Sequence, residues 1–256
     1  MKTKYIDLVE QTFEWPQEEF ALEKDNLLFH GVPLMELIEK YGTPLKFTYL
    51  PKISENIQRA KEWFRIAKRE INYAGDYHYC YCTKSSHFRY VLEEALKNDI
   101  HLETSSAYDI DLIRRLVTLG KITKKQRIIC NGFKKEEYVQ RILDMHRDGF
   151  KDIISIIDNK YEFSRFEQQV QEPMNIGIRI ASEEEPKFEF YTSRLGIGYR
   201  EIVRFYKKSI HENPHLNLKM LHFFINSGIK DTAYYWNELA KCLKVYCELR
   251  GICPSL

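Results

Sequence analysis

Residues 100–131 read IHLETSSAYDIDLIRRLVTLGKITKKQRIICN. Ile100–Thr104 is short and suits a strand. Ser106 then stands three residues before Asp109, the spacing of a capping box, and Ile110, Leu112, Ile113 and Leu116 follow at helical spacing. Gly120 closes that helix, and Arg127–Asn131 begins a second β-rich run. Strand, helix and strand in so short a stretch form a βαβ unit, which implies a parallel sheet.

The same texture extends in both directions. Further β-rich runs are Pro44–Leu50, Tyr77–Thr83, Asp152–Ile157, Asn175–Ala181 and Leu218–Ile225. Between them lie helical patterns. In Lys52–Arg69, Ile53, Ile57, Ala60, Phe64 and Ala67 share one face. A long helix starts at Asp231, runs through Tyr235, Leu239, Leu243 and Tyr246, and has Gly251 at its C′ position. The fold class is therefore α/β. Seven strand–helix units without a Gly-rich first turn favour a (β/α)8 TIM-type barrel over a doubly wound sheet. A closed barrel needs eight strands, and the chain ends at Ile252–Leu256, where the eighth is expected. The expectation is an incomplete barrel with an open, apolar seam, prone to dimerise or aggregate.

Composition narrows the function classes. Of 256 residues, 44% are hydrophobic and 30% charged, which fits a packed globular chain. Lys plus Arg number 39 against 37 Asp plus Glu, so the strongly basic face of a nucleic-acid binder is not expected. There is no apolar run long enough for a membrane span and no apolar signal-peptide core, so the expected location is the cytoplasm. Cysteines stand at 80, 82, 130, 242, 247 and 253, with no C-x2-C pair, and no metal site is expected. Cys80 and Cys82 would share one face of a strand as reduced apolar fillers.

Residues at strand ends carry the candidate chemistry, because barrel active sites lie at the C-terminal ends of the strands. Lys84 follows an aromatic strand. If desolvated there, its amine would lose its charge more readily, as Schiff-base chemistry requires; a lysine ending a strand is more often a solvated surface residue. Glu103 or Asp109 could hold that lysine or a cofactor group, and Asp109 could instead only cap its helix. Arg179 lies inside an apolar strand and needs an anionic partner, a carboxylate or a cofactor phosphate. Ser227 and Gly228 could offer a hydroxyl and an N–H to a phosphate, or form a plain turn.

Taken together, the chain resembles the barrel domain of the fold-type III pyridoxal phosphate-dependent decarboxylases, which include ornithine, arginine and diaminopimelate decarboxylases. Tyr41-Gly42-Thr43-Pro44-Leu45 is similar to that family's entry into its first strand. Thr83-Lys84-Ser85-Ser86 occupies the place of its lysine motif, and Leu102–Ser106 that of its third strand. Ile128–Lys134 is particularly similar to a segment of biosynthetic arginine decarboxylases. Gly177–Ile180 fits the strand-six arginine, and Ser193–Ile197 the turn after it.

The resemblance covers about residues 26–256, and what it implies is specific. Lys84 would form a Schiff base with the aldehyde of pyridoxal 5'-phosphate, Glu103 and Arg179 would line the cofactor ring, and Ser227 would reach the phosphate. The substrate would be a basic amino acid, arginine first and diaminopimelate next, and the full-length protein would be a homodimer. Phe224 stands where the family has a histidine that stacks on the ring. It can stack, but it cannot hydrogen-bond. Asn226 replaces a family glycine. A glycine loop after the eighth strand and a C-terminal β-domain of the family are not within these residues. Residues 1–40, with Asn26–Leu34 resembling a strand that pairs with that β-domain, would have lost their partner, and residues 41–256 would form the cofactor-binding barrel. A non-catalytic, cofactor-binding or regulatory relative is the alternative.

Overall fold

The computed structural model describes residues 19–24, 26–182, 195–224 and 232–256. They group into two compact units, up to Tyr49 and from Leu50 to Leu256.

In the first unit, β1 (Phe20–Glu23), β2 (Asn26–Phe29) and β3 (Val32–Pro33) form an antiparallel sheet in that order. Helix α1 (Leu34–Tyr41) follows and ends at Gly42, whose N–H donates to the Ile38 carbonyl at 2.7 Å. Asn26–Phe29 is the central strand of this sheet, with β1 and β3 on either side of it. One expectation is corrected here. Pro44–Leu50 forms no ladder among the described residues. Its aromatic side chains are used otherwise, with Phe47 and Tyr49 packing on Phe29 at ring-centre distances of 4.9 and 5.9 Å.

The second unit opens with α2 (Pro51–Glu70), close to the span read from its apolar spacing. Then β4 (Cys80–Cys82), α3 (Arg89–Leu96), β5 (His101–Thr104), α4 (Ala107–Thr118), β6 (Ile128–Cys130), α5 (Glu136–Arg147), β7 (Ile153–Ile157), α6 (Lys160–Glu167) and β8 (Met174–Ala181) alternate regularly. A short β9 (Ile197–Gly198), α7 (Tyr199–Phe205), β10 (Leu216–Phe223) and α8 (Thr232–Arg250) complete the unit. The sheet order is β10-β8-β7-β6-β5-β4, all parallel, with β9 also parallel on β8. Strands β4 to β8 each pair with the next in sequence, as in the wall of a barrel. Every residue of β7 is buried, as expected of a parallel strand covered on both faces.

The helices lie against one face of the sheet because their apolar stripes match it. Ile110, Ile113 and Leu116 of α4 and Val139, Ile142 and Leu143 of α5 are buried, and they join a large core with Leu102, Ile128, Ile153 and Ile178. Two helix-end readings change. The Ser106 side chain makes no cap bond; instead Asp109 Oδ2 accepts the N–H of Ser105 at 2.8 Å and its hydroxyl at 3.2 Å, one residue further back than a capping box reaches. Gly251 follows α8 without a positive φ, and the N–H groups of Ile252 and Cys253 close on the Leu249 carbonyl. Asp231 lies outside the described residues. Among the described residues no helix is long and apolar enough to cross a membrane, and no His, Cys, Asp and Glu cluster could hold a metal ion.

Candidate cofactor site at the strand ends

Register decides which side chains meet. Cys82 lies opposite Glu103, Glu103 opposite Ile129, and Ile129 opposite Ile154. Ile156 lies opposite Gly177, Gly177 opposite Met220, and Arg179 opposite His222. Since side chains alternate, Glu103, Arg179 and His222 point to the same face as Ile129, Ile154 and Ile156. Those isoleucines pack with Cys80 and Met220 into a small apolar floor, on the face away from the helices. Asn131 and Asp158 extend that face two residues beyond Ile129 and Ile156. The result is a polar layer of Glu103, Asn131, Asp158, Arg179 and His222 at the C-terminal ends of β5 to β10.

Lys84 stands two residues after β4. The preceding Thr83 is fully buried, and both its N–H and its hydroxyl donate to the Glu103 carbonyl, at 2.9 and 3.1 Å. This ties the end of β4 to β5. Lys84 itself is exposed, so the desolvation expected from its aromatic strand is not found. The neighbouring thiols do not compete with it as nucleophiles. Burial pushes Cys80 up to about 11, and burial, reinforced by the Glu103 charge, raises Cys82 as well.

Glu103 is half-buried and accepts the Asn131 side-chain N–H at 3.1 Å. Arg179 is only 9% exposed; its Nη1 lies 3.6 Å from Asp158 Oδ1, and its guanidinium carbon sits 5.7 Å from the centre of the Phe224 ring. Burial pushes His222 down to about 4, opposed by the charge of Glu103 and reinforced by those of Arg179, Lys134 and Lys84. Register sets His222 opposite Arg179 on the same face. Phe224 is half exposed at the rim. Asp109 serves the loop before α4 and not this cluster. Ser227 and Gly228 lie outside the described residues.

Beneath the polar layer is a buried ion pair absent from the sequence reading. The Lys134 and Glu162 side chains are 0% and 2% exposed and meet at 3.3 Å. Lys134 Nζ also donates to the carbonyls of Gly132, at 3.1 Å, and Ile156. Glu162 accepts backbone N–H groups from Lys134 and Asp158 at 3.0 and 3.1 Å. The loops after β6 and β7 are thereby locked together. Gly132 suits this junction because its φ is +79° and an added Cβ would lie 2.6 Å from the Ser105 carbonyl oxygen.

Asn131, Asp158, His222, Lys134 and Glu162 were not singled out as site residues in the sequence. Two signals were present: polar residues at i+2 beyond an apolar strand, and a lysine and a glutamate closing successive strand–loop junctions. Several atoms of this layer are buried without a hydrogen-bond partner among the described residues: Asn131 Oδ1, both carboxylate oxygens of Asp158, Arg179 Nε and His222 Nδ1. Buried polar atoms rarely remain unpaired without a functional reason. Four such residues, Asn131, Asp158, Arg179 and His222, lie on one face at the strand ends and present unpaired donors and acceptors there.

The fold thus defines a class: an α/β barrel domain of parallel strands, with a layer of polar side chains at its strand ends. A family model described as "Pyridoxal-dependent decarboxylase, pyridoxal binding domain" matches residues 52–255, and the chain belongs to that family. Its cofactor is pyridoxal phosphate. The fit is chemical, since the cofactor carries an aldehyde for an accessible amine, an anionic phosphate and a ring with polar substituents for the unpaired donors and acceptors.

Biosynthetic arginine decarboxylase 2 of Synechocystis sp. is 27% identical over 245 residues, covering 86% of this chain and 37% of its own length. Diaminopimelate decarboxylase from M. jannaschii, solved with L-lysine, superposes with a TM-score of 0.72 at 18% identity, over 91% of this chain and 54% of its own. Biosynthetic arginine decarboxylase from Campylobacter jejuni gives 0.67 at 19% identity, over 93% and 40%. The chain therefore spans little more than a third of the length of the curated relatives it matches.

Proposed function

We propose that this chain is the cofactor-binding part of a protein that decarboxylates a basic amino acid, with arginine as the substrate. The observation that carries this reading is the cluster of unpaired buried polar groups at the strand ends beside the accessible Lys84. The arginine decarboxylases among the relatives, together with the Ile128–Lys134 segment, support the choice of arginine. The protein works in the cytoplasm as a homodimer.

When bound, pyridoxal phosphate supplies an aldehyde for covalent attachment and a ring that takes up electron density as carbon dioxide leaves. Lys84 is the attachment residue, because it is exposed at a strand end and has no side-chain hydrogen bond or ion pair among the described residues. Arg179 lines the cofactor ring. Glu103, held by Asn131, places a carboxylate on the same face. His222 is neutral at working pH and leaves one ring nitrogen open to the ligand. Phe224 supplies an aromatic surface at the rim.

Release of labelled carbon dioxide from arginine by the full-length polypeptide tests the proposal, with ornithine, lysine and diaminopimelate as competitors. Preferential release from arginine supports it, and no release from any of the four overturns it. A second reading, a cofactor-binding protein without decarboxylase activity, is favoured by Phe224 standing where the family has a stacking histidine. It predicts cofactor binding without release of carbon dioxide.

A further inference from the structure

We infer that Asp158 is a positioning residue of the cofactor site: its buried carboxylate fixes the guanidinium of Arg179, and the Lys134–Glu162 pair beneath holds Asp158 in place. This rests on reading the strand-end cluster as the pyridoxal phosphate site.

The main chain at Asp158 is clamped from two sides. Its N–H donates to Glu162 Oε1 at 3.1 Å, and its carbonyl accepts the Gly196 N–H at 2.9 Å. Gly196 has a φ of +104°, and a Cβ there would lie 2.5 Å from the Ala181 nitrogen, so only glycine brings that N–H so close. Glu162 is itself set by α6, whose first turn is capped by Asn159 Oδ1 accepting the Glu162 N–H at 2.8 Å. With the backbone fixed, the Asp158 side chain is held toward the site face.

The two buried acids of this loop are satisfied in different ways. Both Glu162 oxygens accept hydrogen bonds from within the protein. Both Asp158 oxygens are buried and accept none among the described residues. A carboxylate placed so is a poor structural element, because no hydrogen bond among the described residues offsets its desolvation. Burial accordingly holds Asp158 above the usual carboxylate range, while Lys134 and Arg179 pull it down and Glu162 pushes it up. The cation it faces is Arg179, at 3.6 Å, beyond hydrogen-bond reach. At that distance the carboxylate orients the guanidinium by charge and leaves its N–H groups, Nε included, to donate elsewhere. Arg179 is thereby pre-aimed, which lowers the ordering cost of binding an anionic ligand.

The test is a double-mutant cycle on pyridoxal phosphate affinity, read by absorbance titration of the full-length polypeptide. Asp158→Asn is expected to weaken binding about tenfold, the size of one well-placed charge interaction. In an Arg179→Ala background the same change is expected to weaken it less than about twofold, because the group Asp158 positions is gone. The cofactor-free melting temperature of Asp158→Asn should be unchanged or higher, since an unsatisfied carboxylate has been removed. If Asp158→Asn does not fold, Asp158→Ser enters the same cycle. Unchanged affinity in the single variant overturns the inference. So does an equal loss in both backgrounds, or a fall in cofactor-free melting that accounts for the lost affinity. Failure of the unaltered polypeptide to bind pyridoxal phosphate overturns the reading of the site itself, and this inference with it.

Discussion

Two lysines follow strand ends of the same sheet in opposite environments. Lys84, after β4, is exposed and unpaired among the described residues. Lys134, after β6, is fully buried and bound to a carboxylate and two carbonyls. A lysine that joins an aldehyde must be reachable and able to lose its proton; one that ties two loops together must keep its charge and stay where it is. On the proposed reading, the difference separates the amine that does chemistry from the amine that holds two loops together.

The largest expected effect breaks the comparison from the chemical side. Lys84→Ala should abolish both covalent attachment of the cofactor and release of carbon dioxide, while leaving the melting free energy within about 0.5 kcal/mol, as for other exposed positions. Absorbance of the cofactor-loaded protein and a thermal melt check both halves. A destabilised Lys84→Ala would mean that the two lysines do not differ as described.

The next effect comes from the architectural side. Lys134→Ala strands the Glu162 charge in the core and should cost about 3–5 kcal/mol of stability in a denaturant melt. Pairing Lys134→Met with Glu162→Leu removes both charges and should recover most of that loss, though not the cofactor affinity, since Asp158 then loses the carboxylate that accepts its N–H.

Acid sharpens the picture at His222. Its folded pKa of about 4 lies below the ordinary value of 6.5, so the native state binds fewer protons there than the unfolded chain does. Its contribution is therefore complete above about pH 6.5 and is lost as pH falls toward 4, by about 3 kcal/mol at most. Melts from pH 7 to pH 4 should show that loss, and His222→Gln should flatten it. A profile identical in both proteins would remove His222 from the buried layer.

The smallest expected effect is at the loop junction. Gly132→Ala meets both a left-handed φ and a close carbonyl, and should lower stability by about 1–3 kcal/mol, as a strained backbone position does. Cofactor affinity should fall with it, since Asn131 and Lys134 flank the glycine.

Much of this was legible beforehand because period and punctuation are local signals. Residues 100–131 announced a βαβ unit, and six of the seven strands read from β-rich runs formed. Pro44–Leu50 did not, since nothing in a run of strand-forming residues reveals that Phe47 and Tyr49 will pack on Phe29. At the site, Lys84, Glu103 and Arg179 stood out by type and place, and Arg179 because an arginine in an apolar strand needs a partner. That partner, Asp158, shows in the sequence only as a polar residue beyond an apolar strand; cross-strand register makes the pairing, and no sequence spacing encodes it. Lys134 and Glu162 lie on a loop and a helix turn, and only the fold brings those two junctions together. The expected desolvation of Lys84 failed because the aromatic strand residues precede the turn on which the lysine sits.

The most direct measurement loads the full-length polypeptide with pyridoxal phosphate, reduces it with borohydride and maps the modified lysine by mass spectrometry. The account predicts a single modified peptide containing Lys84, with Lys134 untouched. Modification at Lys134, scattered over surface lysines, or absent altogether would contradict it.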